Sequence, residues 1–289
     1  MSATVTEFRL GGELSINRLG FGAMRLPRAD WQGPARDPQT GRAVLRRAVE
    51  LGVDHIDTAD FYRSGDGAVR ANVLIREALS PYPAGLVIAT KVGPIFDHQR
   101  QITPGAAGDM RRLVEENLRS LGLDRLDLVY LRIGAMTVPH GESLAARFEA
   151  LAALREAGLI RHLGLSNIDL DHLAEARAIA PVVAVQNNFH IAKRGDMALL
   201  HACQEAGIAF IPYGPIGSGR DEIGADRLAK IATRHGATPS QIALAWLLAL
   251  SPVALAIPGT GSIVHLEENV AAAKIALTQR DLDDLAGSA

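Results

Sequence analysis

The sequence predicts an α/β chain folded as a (β/α)8, or TIM, barrel, and two observations carry that expectation. Eight short apolar runs, at residues 18–22, 53–57, 86–92, 126–132, 160–166, 182–186, 208–213 and 254–257, alternate with longer stretches of helical periodicity. Continuous strands separated by helices imply a parallel sheet covered by helices. Alternation alone fits an open doubly wound sheet as well as a closed barrel. The count of eight favours closure, and so does the lack of a Gly-x-Gly-x-x-Gly opening a helix after the first strand. Gly217-Ser218-Gly219 is glycine-rich but follows the seventh strand.

Taken in order, residues 7–10, Gly11-Gly12 and residues 13–16 read as a β-hairpin with a glycine turn. Residues 41–51 place Val44, Leu45, Ala48 and Leu51 on one helical face, and residues 108–121 do the same with Leu113, Val114, Leu118 and Leu121. Residues 143–157 carry Leu144, Phe148, Leu151 and Leu154, with Gly158 as the stop. Asp169 is a plausible N-cap for a helix over 169–178. Thr238-Pro239-Ser240-Gln241 opens another, with Thr238 as N-cap, proline at N1 and Gln241 at N3. The loop-like stretches 27–39, 93–107 and 214–224 leave strand ends, so they are candidate substrate walls.

No linker or low-complexity tract divides the chain, so one barrel domain over residues 1–289 is expected. The single cysteine, Cys203, cannot form an intramolecular disulfide and fits a reducing compartment. With 30 basic and 32 acidic residues, nothing in the overall charge favours nucleic acid or an anionic membrane as a partner. No basic-then-apolar leader is evident, and the apolar segment 242–250 is too short to span a bilayer. A cytoplasmic chain acting on a small molecule is expected.

Three polar residues fall where strands end. Asp57 closes Val53-Asp54-His55-Ile56-Asp57, Lys91 closes Val87-Ile88-Ala89-Thr90-Lys91, and Tyr62 follows in Thr58-Ala59-Asp60-Phe61-Tyr62. Strand alternation puts Val87, Ala89 and Lys91 on one face, aiming the lysine into a barrel mouth. A phenol is a poor acid near neutrality, but an adjacent ammonium lowers its pKa and a buried carboxylate would hold that ammonium charged. The result is a proton donor suited to a carbonyl oxygen. Singly, the same residues read as a turn cap, a solvated lysine and loop packing; their joint placement favours chemistry. His55, on the face of Asp57, is expected to be a hydrogen-bonded core histidine. No cluster has metal-ligand spacing.

His55-Ile56-Asp57-Thr58-Ala59 with Tyr62, and Ala89-Thr90-Lys91-Val92-Gly93, resemble the aldo-keto reductases. The match continues in order through Gly164-Leu165-Ser166-Asn167, Val185-Gln186-Asn187, Pro212-Tyr213-Gly214-Pro215-Ile216 and Ile257-Pro258-Gly259-Thr260-Gly261-Ser262 to Glu267-Glu268-Asn269. It covers essentially the whole chain, including the opening hairpin that plugs the barrel floor in that family. The resemblance implies an NAD(P)H-dependent oxidoreductase of aldehydes or ketones, with NADPH the first choice of cofactor and NADH open. It implies that Ser166, Asn167 and Gln186 hydrogen-bond the nicotinamide carboxamide and that Tyr213 stacks on the ring. Residues 259–269 would bind the adenosine phosphates, with Gly259, Thr260, Ser262 and His265 in that segment and Glu268 and Asn269 reaching the adenine. Gly22, Met24, Gly214 and Ile216 complete the implied cofactor set.

Two departures stand out. The family's fourth catalytic residue is a histidine ending the fourth strand, where this chain reads Asp127-Leu128-Val129-Tyr130-Leu131-Arg132. Arg132 is a permanent cation and cannot shuttle a proton, but it can polarise or bind a substrate oxygen, or else pair with a rim carboxylate. This version of the strand resembles a bacterial subgroup that includes pyridoxal reductase-like oxidoreductases. The second departure is His265, where NADPH-preferring members often carry arginine or lysine; neutral histidine is the weaker phosphate anchor. The altered fourth residue leaves two other readings open: a nicotinamide-binding barrel with little turnover, and a lyase or isomerase on the same barrel.

Overall fold

Gly11 (φ 59°) and Gly12 (φ 78°) take the left-handed conformation open to glycine and turn strand β1 (Glu7–Leu10) back onto β2 (Leu14–Asn17). The computed structural model describes residues 7–29, 33–96, 101–134, 137–217 and 225–286. The predicted loops 27–39, 93–107 and 214–224, and the Gly217-Ser218-Gly219 triplet, therefore lie partly outside the described residues.

Seven parallel strands follow the order β11-β10-β9-β8-β5-β4-β3. They are β3 (Phe21–Gly22), β4 (His55–Asp57), β5 (Val87–Val92), β8 (Leu126–Arg132), β9 (Ile160–Ser166), β10 (Val182–Gln186) and β11 (Ala209–Phe210), with β6 (Pro94–Phe96) and β7 (Ile102–Pro104) set aside as a small hairpin. The predicted eighth strand closes the ring through bridges. Ala256 bridges Leu19 and Ala254 bridges Phe210, both in parallel sense. Ala256 N donates to Arg18 O at 2.8 Å, and Leu255 N to Phe210 O at 2.9 Å. The sheet is thus a closed (β/α)8 barrel, as the eight apolar runs predicted.

Inward and outward residues of the strands build two apolar layers. Val87, Ala89, Leu128, Tyr130, Ala184, Ala209, Ile211, Leu255 and Ile257 fill the barrel together with Leu10 and Ile16 of the hairpin, which closes the floor. The outward residues pack beneath the helices. These are α1 (Pro38–Glu50), α2 (Ala71–Leu79), α3 (Met110–Leu121), α4 (Ala145–Glu156), α5 (Leu170–Ile179), α6 (Met197–Ala206), α7 (Ala225–His235), α8 (Pro239–Leu250), α9 (Ile263–Ala271) and α10 (Gln279–Ala286).

The α8 capping box is present as predicted: Gln241 N donates to Thr238 Oγ1 and Thr238 N to Gln241 Oε1. Helix α1 begins three residues before its expected start. Asp37 accepts from Gln39 N and Thr40 N, and Pro38 needs no N–H partner, so the cap lies before the first apolar residue of the periodic face. Among the described residues no helix is long and apolar enough to cross a membrane.

The last helix is held by a buried carboxylate. Asp281 accepts from Thr278 Oγ1 at 2.6 Å and Thr278 N at 2.9 Å, and pairs with His235 Nε2 at 2.9 Å and Arg234 Nη2 at 2.8 Å. Burial alone would raise its pKa, but these partners bring it down to about 2. The folded value lies below the unfolded one, so the stabilisation is present above about pH 4 and is lost as pH falls through 2. Asp281→Asn is expected to cost about 2–3 kcal/mol at pH 7. In urea melts the gap between the two proteins should narrow progressively below pH 4; a gap independent of pH would contradict the assignment.

Candidate active site

Parallel register sets the height of each polar side chain at the C-terminal end of the barrel. Asp57 pairs with Gly22 and Ala89, Lys91 with Tyr130, Arg132 with Ser166, and Ser166 with Gln186. Each sits at or next to the last residue of its strand, so the side chains converge on one mouth. Gly164 makes room below them, since a methyl group there would lie 2.7 Å from the ring of the fully buried Tyr130.

Lys91 and Asp57 are 2% and 4% exposed. Lys91 Nζ donates to Asp57 Oδ1 at 2.5 Å and to Thr58 O at 3.1 Å, and Gln186 Nε2 donates to Asp57 Oδ2 at 2.8 Å. Burial disfavours the ammonium, but the Asp57 carboxylate in contact with it outweighs that cost and Lys91 stays protonated, its pKa raised. The predicted carboxylate-held lysine is therefore in place.

Tyr62 is 7% exposed, with Lys91 Nζ 5.0 Å from its ring centroid. Its pKa is raised, which corrects the expected lowering. Desolvation is the largest influence; the cations Lys91 and Arg132 oppose it, while Asp57 reinforces it. A neighbouring cation was legible in the sequence, but the depth of burial was not. The phenol therefore holds its proton across neutral pH.

Arg132 is half-buried at the end of β8. Its Nη1 donates to Ser166 Oγ at 3.2 Å, and its Cζ lies 5.0 Å from the centroid of Tyr213, over one ring face. Its charge is felt at Tyr62, so it faces the same mouth. Asn167 is the one described non-glycine residue with positive φ, at 65°. That conformation lets its Nδ2 donate to Ile133 O and Thr137 O, both at 2.8 Å, while Oδ1 accepts from Tyr213 Oη at 3.4 Å. Asn187 brackets the turn by exchanging hydrogen bonds with the backbone of Ile168.

The implied cofactor residues fall into two groups. Ser166, Asn167, Gln186 and Tyr213 line the mouth beside Lys91, and Gly214 and Ile216 follow Tyr213 at the rim, half-buried. Gly22 brings β3 against the 257–259 backbone, because a methyl group there would lie 2.6 Å from Ile257 O. Met24 follows it in a short turn. Gly259, Thr260 and Ser262 run from that contact to the N-terminus of α9, where Ser262 is the N-cap. His265 is exposed, Glu268 half-buried and Asn269 buried. Among the described residues no hydrogen bond or ion pair links this second group to Tyr62 and Lys91.

These residues fit a nicotinamide cofactor by their chemistry: the Ser166 hydroxyl, the Asn167 amide and the Tyr213 ring stand together at the mouth around Arg132, polar partners for a carboxamide beside an aromatic face for a ring. Among the described residues no group of histidine, cysteine and carboxylate side chains could hold a metal. Burial pushes the Cys203 thiol up to about 12, so it is no nucleophile. His55 is buried in the core as expected, with Nδ1 3.6 Å from Asp54 Oδ1, but neither ring nitrogen makes a hydrogen bond, which corrects the expected hydrogen-bonded state.

The sequence patterns left one supporting element unread. Behind Asp57 and Lys91, Thr58 Oγ1 donates to Asn72 Oδ1 at 2.8 Å, and Asn72 Nδ2 to Asn117 Oδ1 at 3.0 Å. Thr90 Oγ1 donates to the same Asn117 oxygen at 2.6 Å. This buried network ties the ends of β4 and β5 to α2 and α3. Asn117 sits on the inward face of α3 between Val114 and Leu121, and a polar residue on an apolar face was the available signal.

A barrel with this charged pair, this phenol and these hydroxyl and amide groups at its mouth defines a nicotinamide-dependent oxidoreductase class. The aldo/keto reductase family model matches residues 18–288, and the chain belongs to that family. It is 45% identical over 280 residues to pyridoxine 4-dehydrogenase of Escherichia coli (strain K12), covering 96% of both chains. It is 41% identical to an uncharacterised oxidoreductase of Schizosaccharomyces pombe, over 92% of this chain and 85% of that one. Among solved structures, a thermostable aldo-keto reductase in complex with the inhibitor epalrestat superimposes with a TM-score of 0.84 at 30% identity, covering 98% of this chain and 99% of that one. An aldo/keto reductase from Klebsiella pneumoniae in complex with NADP and acetate gives 0.81 at 27% identity, covering 97% and 94%. The family places the chain among NAD(P)H-dependent oxidoreductases acting on carbonyl groups.

Proposed function

We propose that the chain reduces an aldehyde to the alcohol with Tyr62 as proton donor, and that its substrate carries an acidic oxygen near the carbonyl, as pyridoxal does. The observation that carries this reading is a buried phenol with Lys91 Nζ 5.0 Å from its ring centroid, in a site where the Arg132 charge is also felt. Reduced nicotinamide, when bound, supplies the hydride to the carbonyl carbon. As negative charge grows on the carbonyl oxygen, Tyr62 Oη gives it a proton, and the phenolate left behind is stabilised by Lys91. Asp57 keeps Lys91 charged and fixed. Ser166, Asn167 and Gln186 would orient the carboxamide, and Tyr213 would hold the nicotinamide ring.

Arg132 takes the place of a titrating residue with a permanent cation. A guanidinium prefers an oxyanion, which a pyridoxal phenolate provides. The similarity to pyridoxine 4-dehydrogenase supports the same substrate class. Arg132→Ala should raise KM for pyridoxal by about ten- to a hundredfold, the worth of one hydrogen bond to a charged group. KM for an aldehyde without an ionisable group should barely change. Equal changes for both substrates would remove Arg132 from substrate recognition.

A further inference from the structure

The segment expected to hold the cofactor's adenosine phosphates lacks a permanent cation of its own. From Pro258 to Ala273 the chain has no lysine or arginine, while Glu267 and Glu268 add negative charge. Thr260 Oγ1 and Ser262 Oγ accept from Ser262 N and His265 N, which leaves their hydroxyl protons free to donate. Hydroxyls and helix N-terminal amides can cradle an anion, but with Glu267 already paired to Arg47 and Glu268 close by, a phosphate dianion calls for a counter-charge of its own.

That counter-charge comes from another part of the barrel. The Arg36 guanidinium lies flat over Gly261: a methyl group on that glycine would stand 2.8 Å from Nη1, 2.9 Å from Cζ and 3.0 Å from Nε. Any side chain at 261 would displace the arginine. Arg36 Nε is buried without a hydrogen-bond partner, and the guanidinium has no carboxylate within ion-pair distance among the described residues. The adjacent Asp37 is occupied, accepting from Gln39 N, Thr40 N and Thr40 Oγ1. A buried guanidinium N–H with no acceptor is costly unless a ligand supplies one.

Its position is fixed from both sides. Arg36 N donates to Pro27 O at 2.8 Å, next to a bridge between Arg28 and Ala35. On the other side, α1 is tied to α9 by the ion pair of Arg47 Nη2 with Glu267 Oε1 at 2.7 Å. The arginine is therefore presented to the start of α9 by packed structure.

We propose that Arg36 is the cationic anchor for the 2′-phosphate that distinguishes NADPH from NADH, taking over the charge that His265 does not supply. The inference rests on the cofactor site read above and makes Arg36 a specificity-determining residue.

The test is direct binding of NADPH and of NADH to wild type, Arg36→Leu and Arg36→Lys by titration calorimetry, with thermal melts as the control for folding. Arg36→Leu should weaken NADPH about ten- to a hundredfold and leave NADH unchanged, and Arg36→Lys should recover part of the loss. Equal weakening of both cofactors, or unchanged NADPH affinity, overturns the proposal while leaving the cofactor site standing. Failure of wild type to bind either cofactor would overturn the site itself.

Discussion

Tyr62→Phe is expected to lower kcat for aldehyde reduction by about 10²- to 10⁴-fold, the usual contribution of a positioned general acid, while leaving NADPH affinity unchanged. The substitution removes one oxygen from a side chain held by its ring. Phe61 meets that ring edge-on with centroids 5.2 Å apart, and Phe61 in turn stacks on Phe96 at 5.0 Å. The aromatic wall should survive, so a changed melting temperature is not expected. Loss of cofactor binding together with activity would show that Tyr62 serves the wall and not the chemistry.

Lys91→Met carries the second large effect, on stability as well as rate. Removing the ammonium leaves Asp57 ionised and nearly sealed from water, with Gln186 Nε2 as its remaining side-chain donor. Breaking a buried pair by deleting one partner costs about 3–5 kcal/mol, because the surviving charge must be desolvated alone or take up a proton. The phenol of Tyr62 would also lose the cation that opposes its upward shift, so activity should fall with stability. The double variant Asp57→Asn, Lys91→Met should regain much of the stability and none of the activity. Urea melts and kcat on the same preparations separate the two. A Lys91→Met protein as stable as wild type would mean that the pair is solvated in solution.

Much of this was legible in the chain. Eight apolar runs gave the barrel, because parallel strands buried on both faces leave continuous hydrophobic segments. Strand alternation aimed Lys91 inward, and the register then placed it beside Asp57 as expected. What pattern could not supply was depth: the neighbour that lowers the phenol pKa of Tyr62 was visible, but the larger opposing effect of burial was not. The eighth strand shows the same limit, since residues 254–256 pair only through isolated bridges on either side. Long-range partners were also hidden. Asn117 and Asn72 are 45 residues apart, and no local signal joins Arg36 to Gly261. Asn269 is buried, a depth that no periodic pattern around it announced.

The role of Tyr62 is tested most directly by the pH dependence of kcat/KM for reduction of an aldehyde that does not itself ionise. A protonated phenol as donor predicts a rate that is level through neutral pH and falls only on the alkaline side, with the fall absent from the residual activity of Tyr62→Phe. A rate that rises with pH, or the same alkaline fall in wild type and Tyr62→Phe, would contradict it.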